Sequence, residues 1–500
     1  MEAAMNKQPF HCHPSIILEK AGGFFVAWLL ILLSQADEIL PALIYGTFDA
    51  ATLKTALFFL IFMLALPVLI AGYQFLVWKK TWISLDENTL IIERNTLMRR
   101  KNAYSISHIA NINTEQNLFE LVLHTCRIKI DLENATDAES TDISIILSCK
   151  KAQELKKLIL SLRDNDSCRT WTENSSEAGN SVPSASLPEI LKHCICSLSG
   201  GFLIIITVIL ASGIFLLFGG DISLGELLWE DKNAAFSMKV LAIGFIVISY
   251  GWQITRKLLA FYHFTAFRLG NDLIIRYGFF RKQDYTIPVK NIQAVRVIQA
   301  PIARLLGLYE AQLVCIGIGD SSEELAQLTL CCKKSVLFQQ MSEILPEFST
   351  ISMEHMHKPV KKTRIIYCAS LICQLICFCL LPGCFLAYYA ESIGPFLPGI
   401  FCAALFLILH QLLRFHCQGF YLGNTMALFS NGSLTKTIML LRFQNIQHLC
   451  LKRGPLSRLF HLQRGSVYIL ASILSREISF PYLEAEEIER LKKNMMPWKN

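Results

Sequence analysis

One segment recurs along the chain, and this repetition constrains the fold more than any other feature of the sequence. Residues 286–308 read TIPVKNIQAVRVIQAPIARLLGL, and residues 441–462 read LRFQNIQHLCLKRGPLSRLFHL. A weaker copy occupies residues 104–122, which is 183 positions before the middle copy. The second and third copies align at a spacing of 154 and share the pairs Ile292 with Ile446, Gln293 with Gln447, Pro301 with Pro455, Arg304 with Arg458, and Leu305 with Leu459. Repetition of this length predicts a chain built from repeated structural units.

Long uncharged stretches precede each copy and predict membrane helices. Hydrophobic residues make up 53% of the chain and the mean hydropathy is +0.40, which is too apolar for a soluble chain. We predict six spans in three hairpins, at residues 21–33 (extending towards 39), 55–78, 195–218, 240–261, 365–389 and 396–415. We expect no cleavable signal peptide, because no apolar stretch near the start is followed by a small-residue cleavage site.

Charge predicts the orientation of these hairpins. Basic residues such as Lys79, Lys80, Arg256 and Arg414 flank the spans on the domain side, whereas the hairpin tips are mainly acidic. The positive-inside rule then places both termini and all three domains in the cytoplasm of a multi-pass cell-membrane protein. The net charge of +7 is spread along the chain, so we expect no nucleic-acid partner.

The predicted unit is a hairpin followed by a domain, used three times. Two polar or mixed stretches between units are typical of linkers, and the first of them is rich in Ser and Asn. The predicted organisation is a cytoplasmic tail at 1–20, hairpin 21–78, domain 79–162, flexible linker 163–190, hairpin 191–261, domain 262–347, linker 348–363, hairpin 364–415 and domain 416–494.

Each domain begins with a predicted β-hairpin. Asn431-Gly432 lies between two strand-like runs, and Gly278 and Asn95 occupy the position of Gly432 in the other copies. Glycine and asparagine tolerate a left-handed backbone best, so we expect that conformation at this position. Further β-rich runs and a C-terminal amphipathic helix follow in each copy. This pattern predicts a small β-barrel or sandwich closed by its C-terminal helix.

Seventeen cysteines predict neither a disulfide framework nor a metal site. Several lie in apolar runs, where cysteine behaves as a small hydrophobic residue, and Cys194-x-Cys196 has no second pair at zinc-finger spacing. We expect most of these thiols to be reduced, and we predict no metal and no cofactor.

The repeated residues resemble a known family. Hairpin-coupled domains with Thr286-Ile287-Pro288, Ile292-Gln293 and Arg304-Leu305 resemble the bacterial PH-like domains of the YdbS/YdbT membrane proteins, and three units match the larger YdbT type. The resemblance covers nearly the whole chain but is weak in the first copy, where Leu121-Val122 replaces Arg-Leu. It implies PH-like domains, and a smaller single-repeat relative as a partner.

Two groups of basic residues are candidate site residues. Arg304 and Arg458 precede a leucine-rich turn, and we favour a role in holding turn carbonyls or a local acid over ligand contact. The resemblance to PH domains, whose first hairpin often holds lipid phosphates, implies contact with anionic headgroups just past the hairpin turn. The candidates are Arg99, Arg100, Lys101, Arg281 and Lys282. An ordinary solvated strand end is the alternative for them.

No catalytic motif is present, so we expect a non-enzymatic protein. A domain repeated three times without a catalytic motif favours a scaffold that binds protein partners or membrane lipid. The alternative is an accessory component of a transport or export system, in which the spans form a path. Its support is the number of spans and the few polar residues within them, chiefly Gln74, Gln374, His410 and Gln411.

Overall fold

The structure is a computed structural model. It describes residues 9–34, 50–86, 88–96, 98–132, 143–163, 181–182, 184–198, 232–316, 325–349, 356–381, 383–384, 397–471 and 476–495. The chain forms two compact units. The first comprises Met1–Asn134 with Thr141–Thr172, and the second comprises Ala135–Ser140 with Glu173–Asn500.

The first unit contains the first repeat and two apolar helices. Its elements are α1 (Ser15–Ser34), α2 (Ala50–Lys79), β1 (Thr81–Asp86), β2 (Thr89–Asn95), β3 (Arg99–Ser105), β4 (Ile109–Gln116), α3 (Leu118–Val122), β5 (Thr125–Leu132), β6 (Ile143–Ser148) and α4 (Cys149–Arg163). Strands β1, β2 and β3 pair antiparallel in chain order, and so do β4, β5 and β6. Buried Ala152, Leu155 and Ile159 of α4 pack on the core that these strands enclose.

The second repeat begins the second unit. Its elements are β7 (Ser181–Val182), α5 (Leu187–Cys196), α6 (Lys232–Ala260), β8 (Thr265–Leu269), β9 (Asp272–Tyr277), β10 (Lys282–Pro288), β11 (Ile292–Gln299), α7 (Pro301–Leu305), β12 (Leu308–Cys315), β13 (Gln327–Lys333) and α8 (Lys334–Ile344). Strands β7 to β10 pair in order, as do β11 to β13. The amphipathic helix α5 places Ile190 and Cys194 on the same core as α8.

The third repeat completes the second unit. Its elements are α9 (Thr363–Leu375, continued by a π-helical turn to Leu380), α10 (Leu397–Cys417), β14 (Gly419–Leu422), β15 (Met426–Gly432), β16 (Lys436–Arg442), β17 (Ile446–Lys452), α11 (Pro455–Leu459), β18 (Gln463–Ile469), β19 (Glu477–Leu483) and α12 (Ala485–Met495). Strands β14 to β16 pair in order, and β17 to β19 form a separate sheet.

The elements of the three repeats begin at corresponding positions, at the predicted spacings. Strands β3, β10 and β16 begin at Arg99, Lys282 and Lys436, which are 183 and 154 positions apart. The leucine-rich turn is a five-residue helix in every copy (α3, α7 and α11). The residue two positions after each of these helices has a positive φ, at His124 (53°), Gly307 (65°) and His461 (55°). The left-handed residue that ends a short helix is therefore a constant of the repeat.

Two repeats share a sheet. Strand β11 of the second repeat pairs antiparallel with β16 of the third, so β13-β12-β11-β16-β15-β14 form six continuous strands. Side chains alternate between the two faces of this sheet. Ile438 and Leu440 of β16 enter the core of the second repeat, whereas Met439 and Leu441 enter the core of the third. Each repeat therefore completes its neighbour's core.

Membrane association rests on apolar helices in the described residues. Thr363–Leu380 and Ile400–Cys417 are long and apolar enough to cross a membrane, and Ala65–Lys79 is a shorter apolar segment. Helices α1, α2 and α6 overlap three further predicted spans, at 21–33, 55–78 and 240–261. Most of the span predicted at 195–218 lies outside the described residues. The count of six spans stays a prediction.

Two local predictions need correction, and the linker bounds stay a prediction. The described strands form open sheets and no closed barrel, and the second half of the second repeat continues into the first half of the third. The predicted linker 163–190 is described only in part, and there it contains β7 and the start of α5. Cys126 and Cys149 form a disulfide that the sequence pattern did not predict.

The predicted left-handed position is confirmed in two copies and wrong in the first. Gly278 has a φ of 115° and Gly432 a φ of 126°, but Asn95 does not have a positive φ. Gly278 directly follows β9 and Gly432 is the last residue of β15, and a Cβ on Gly432 would lie 2.0 Å from the carbonyl oxygen of Thr435. Asn431 and Gly432 both belong to β15, so the turn of this hairpin is residues 433–435, just after the predicted position.

We predict that Gly432→Ala destabilises the third repeat by about 1–3 kcal/mol, because the substitution combines an unfavourable φ with contact against backbone. Thermal unfolding in detergent micelles measures this. Gly454→Ala is the matched control, since its Cβ would meet only Ser457 Oγ at 3.9 Å and its φ is −82°. Equal unfolding temperatures for the two variants would contradict the prediction.

Candidate functional site

A cavity of about 580 Å³ lies where the third repeat meets its helix pair. Helices α9 and α10 contribute one wall, the β15–β16 hairpin a second, and β18 with β19 a third. The lining residues are Tyr367, His410, Arg414, Gln418, Asn431, Gly432, Ser433, Leu434, Thr435, Arg464, Ser479, Phe480, Pro481 and Tyr482. Because α9 and α10 include the two segments that are long and apolar enough to cross a membrane, the cavity lies at the domain end of this apolar helix pair.

Aromatic rings hold both arginines of the cavity. The guanidinium of Arg414 lies 5.7 Å from the ring centroid of Tyr367, and that of Arg464 lies 6.0 Å from the centroid of Tyr482. The two tyrosine rings meet edge to face at 6.2 Å. These cation–π contacts restrain the two guanidinium groups and leave their N–H groups available to an acceptor.

The lining has two arginines and no carboxylate. Neither Arg414 nor Arg464 has a salt-bridge partner among the described residues. A positively charged, partly enclosed pocket attracts anions, and guanidinium groups bind phosphate oxygens through paired hydrogen bonds. The cavity is therefore suited to a phosphate-bearing group.

Neutral polar groups complete the cavity. The Gln418 side-chain amide donates a hydrogen bond to the Tyr367 hydroxyl, while its Oε1 is buried with no partner in the described residues. Asn431 donates to the Ser479 carbonyl oxygen and thereby ties the β15–β16 hairpin to β19. An acceptor such as Gln418 Oε1 matches a hydroxyl donor, which a phosphoglycerol headgroup provides.

The second repeat positions the hairpin that lines this cavity. Arg304 Nη1 donates to the carbonyl oxygen of Ser433 at 3.0 Å and contacts Cys417 Sγ at 3.1 Å. Arg304 therefore holds a turn carbonyl, but that turn belongs to the following repeat. The side chain of its counterpart Arg458 is exposed and makes no hydrogen bond or ion pair in the part of the chain that the structure describes.

The other repeat-signature residues belong to strands and turns. Ile292, Gln293 and Ile446 are buried, whereas Gln447 is exposed. Pro301 and Pro455 are the first residues of α7 and α11, where the absence of a backbone N–H removes no intrahelical hydrogen bond. Leu305 is 87% exposed and Leu459 is 69% exposed, so neither contributes to the core.

The predicted lipid-contact residues lie apart from the cavity lining. Arg99, Arg100 and Lys101 are exposed at the start of β3, and Lys101 pairs with Glu93 at 2.6 Å. Arg281 is the last residue of the β9–β10 turn, and Lys282 begins β10 at the position of Arg99. Their contact with lipid stays a prediction. Sequence reasoning missed both arginines of the cavity, because Arg414 was interpreted as a basic residue flanking a span and Arg464 follows no repeat pattern. The available signal was that both are basic residues without an adjacent acidic residue.

A second polar cluster is buried between α5 and the β12–β13 pair. His193 Nδ1 accepts the Cys331 backbone N–H at 3.3 Å and lies 3.4 Å from Glu310 Oε2. The Cys331 thiol donates to the same Glu310 oxygen at 3.8 Å. Lys257 of α6 donates to the Ser197 carbonyl oxygen at 2.8 Å beside this group. These contacts hold α5 and α6 against the domain.

Burial controls the charges in this cluster. It lowers the pKa of His193 to about 3, with the Lys257 charge acting in the same direction. It also raises the pKa of Glu310 to about 7, although the charges of Lys257 and Arg296 oppose this shift. His193 is therefore neutral near pH 7, and the 3.4 Å contact of its Nδ1 with Glu310 Oε2 involves an uncharged imidazole. It is not an ion pair.

The same three side chains have ligand atoms within 4.8 Å of one another, a composition that zinc accepts. Two features oppose a cation here. The Nδ1 lone pair already accepts a backbone N–H, and the Lys257 ammonium lies close by. We therefore assign the cluster a structural role.

Repeated PH-like domains joined to apolar helices define a membrane protein with PH-like repeats of the YdbT type. The chain belongs to the family described as Bacterial PH domain, whose model matches residues 29–163, 203–336 and 376–497. It is similar to the UPF0699 transmembrane protein YdbT of Bacillus subtilis, with 23% identity over 293 residues. That alignment covers 54% of this chain and 57% of the relative, so the chain spans less than two thirds of the relative's length. No solved structure matches.

We predict that Glu310→Gln gains stability relative to the wild type as the pH rises from about 5 to about 8. The unfolded carboxyl group ionises near its ordinary pKa of 4.5, whereas the folded one holds its proton to about 7. The wild type therefore loses stability across this window, and the amide does not titrate. We expect a relative gain of about 1–3 kcal/mol.

Thermal unfolding in detergent micelles, measured as a function of pH for both proteins, checks this difference. His193 titrates in both proteins, so its opposing contribution cancels in the comparison. Glu489→Gln, at an exposed position, is the control variant. A flat difference for Glu310→Gln would contradict the raised pKa.

Proposed function

We propose that this protein is a non-enzymatic membrane scaffold whose third PH-like domain binds the anionic headgroup of a membrane lipid. The observation that carries the proposal is the cavity at the domain end of α9 and α10, which contains Arg414 and Arg464 and no carboxylate. Its volume of about 580 Å³ lies within the range of small-molecule sites.

Electrostatics supports a headgroup as the ligand. Cytoplasmic leaflets carry anionic lipids, and each cation near them gains about 1 kcal/mol. Arg414 lies in the last turn of α10, so its guanidinium is at the depth of the lipid phosphates if α10 spans the bilayer. Lys361, Lys362 and Arg364 flank the start of α9 on the same side.

The proposed topology has six spans in three hairpins, with both termini and all three domains in the cytoplasm. Its support is the basic character of the domain-side flanks, such as Lys79, Arg256 and Arg414. In this arrangement every PH-like domain faces the anionic leaflet.

The shared sheet supports a scaffold. Because β11 and β16 pair along their length, the second and third domains form one body and present a fixed set of surfaces. The proposed partners are membrane lipid and another membrane protein, such as a smaller single-repeat relative.

The transport alternative has less support. Gln411 Nε2 donates to Gln374 Oε1 at 3.0 Å and lies 3.3 Å from Ser370 Oγ, so the polar residues of the third hairpin bind each other across the helix pair. Interhelical hydrogen bonds of this kind hold helices together in a membrane. Solute flux through liposomes, lost on changing Gln374 or His410, would favour transport over a scaffold.

We predict that Arg414→Gln with Arg464→Gln weakens the retention of phosphatidylglycerol about tenfold or more, because both guanidinium contacts to the phosphate are lost. Native mass spectrometry of the full chain, titrated with phosphatidylglycerol in detergent micelles, measures retention. Arg490→Gln is the matched control, because Arg490 is an exposed arginine outside the cavity. Equal retention by the double variant and the control would refute headgroup binding in this cavity.

The exposed residues of β3 are a second proposed lipid contact. We predict that Arg99→Glu, Arg100→Glu and Lys101→Glu together lower retention of anionic lipid, by less than the cavity variant, since exposed charges are screened by salt. The same titration at low and high salt measures this. Unchanged retention at low salt would remove these residues from the lipid-binding surface.

A further inference from the structure

The third repeat exposes a strand edge that its counterpart in the second repeat uses for pairing. Strand β17 is at the edge of the β17-β18-β19 sheet, and no described strand pairs with its outer side. Its counterpart β11 is the strand that pairs with β16. An unpaired edge of this length presents a row of free N–H and C=O groups to another chain.

Burial shows what this pairing does in the second repeat. In β11, Gln293 is 7% exposed and Ala294 is 0% exposed. Their counterparts in β17, Gln447 and His448, are both exposed. The two strands have equivalent positions in the repeat, so the difference follows from the presence or absence of a neighbouring strand.

Two side-chain contacts accompany the observed pairing and define a template. Asn445, in the turn after β16, donates to the carbonyl oxygens of Ile292 and Gln293, at 3.4 and 2.8 Å. Arg304, after β11, donates to the hairpin carbonyl of Ser433. The counterpart of Arg304 beside β17 is the exposed Arg458.

The template identifies the kind of occupant. It must supply a strand equivalent to β16, a hairpin carbonyl for Arg458, and a side-chain donor for the Ile446 and Gln447 carbonyl oxygens. These three features occur together in the first half of a PH-like repeat. Pairing by strand addition is a common mode of recognition between sheets.

Charge argues against a second copy of this chain. The strand equivalent to β16 in the first repeat is β3, which is at the edge of its own sheet. In the register of β11 with β16, β3 would place Arg100 opposite Lys452 and Arg99 opposite Arg453. Like charges directly opposite each other destabilise a strand pair.

We propose that the outer edge of β17 is the docking site for a PH-like domain of a different membrane protein, whose pairing strand carries acidic residues opposite Lys452 and Arg453. This inference rests on the proposed scaffold function and names the class of its partner. Arg458 then binds the hairpin of the partner as Arg304 binds the hairpin of the third repeat.

Photocrosslinking of the full chain in its own cells tests the proposal. A benzoylphenylalanine at position 447 lies on the exposed edge, and the same residue at position 490 is the control. We expect a crosslink from position 447 to a strand of a PH-like domain in another protein, with acidic residues in that strand. A crosslink to a second copy, to a segment without a PH-like fold, or no yield above position 490 would overturn the proposal.

Two variants of the chain that carries the crosslinker at position 447 test the proposal further. Lys452→Glu with Arg453→Glu should lower the crosslinking yield about tenfold, because both new carboxylates would face acidic residues of the partner strand. The same change should raise crosslinks to a second copy, because Arg99 and Arg100 of that copy would then face opposite charges. The cavity variant Arg414→Gln with Arg464→Gln should crosslink like the wild type. Loss of lipid retention with normal crosslinking, or the reverse, therefore separates the two proposals. An unchanged yield after charge reversal would refute recognition at β17.

Discussion

Backbone pairing between β11 and β16 is the interaction on which the rest of the second unit depends. It converts two small domains into one six-stranded sheet with a core on each face. A domain of about 80 residues buries a modest fraction of its surface, so the shared sheet supplies apolar contact that neither repeat could make alone. Strict alternation in β16 allows this, since Ile438 and Met439 face different cores.

The cavity depends on the same pairing. Arg304 reaches from the second repeat to the Ser433 carbonyl oxygen, so the hairpin that lines the cavity is held by its neighbour. The helix pair supplies Tyr367 and Arg414, and β18 supplies Arg464. The cavity of the third repeat thus combines residues from the apolar helix pair and the domain, and the preceding repeat restrains its hairpin.

Buried polar groups attach helices to the second domain in a different way. His193, Glu310 and Cys331 satisfy one another where α5 meets β12 and β13, and desolvation favours their neutral forms. An uncharged network costs less to bury than an ion pair, and it still fixes the helix in one position. The domain is therefore held to its helices by hydrogen bonds as well as by apolar contact.

Local patterns in the sequence determined the repeats, the strands, the C-terminal helices and the glycine positions at 278 and 432. These depend on side-chain periodicity and backbone sterics over a few residues, which a sequence displays directly. Tertiary structure alone decided the pairing of β11 with β16, the hydrogen bond from Arg304 to the Ser433 carbonyl oxygen, and the position of Arg414 and Arg464 in one cavity. These contacts join positions separated by tens to hundreds of residues. Their formation depends on how edges and faces meet in space, and repeat spacing carries no information about that.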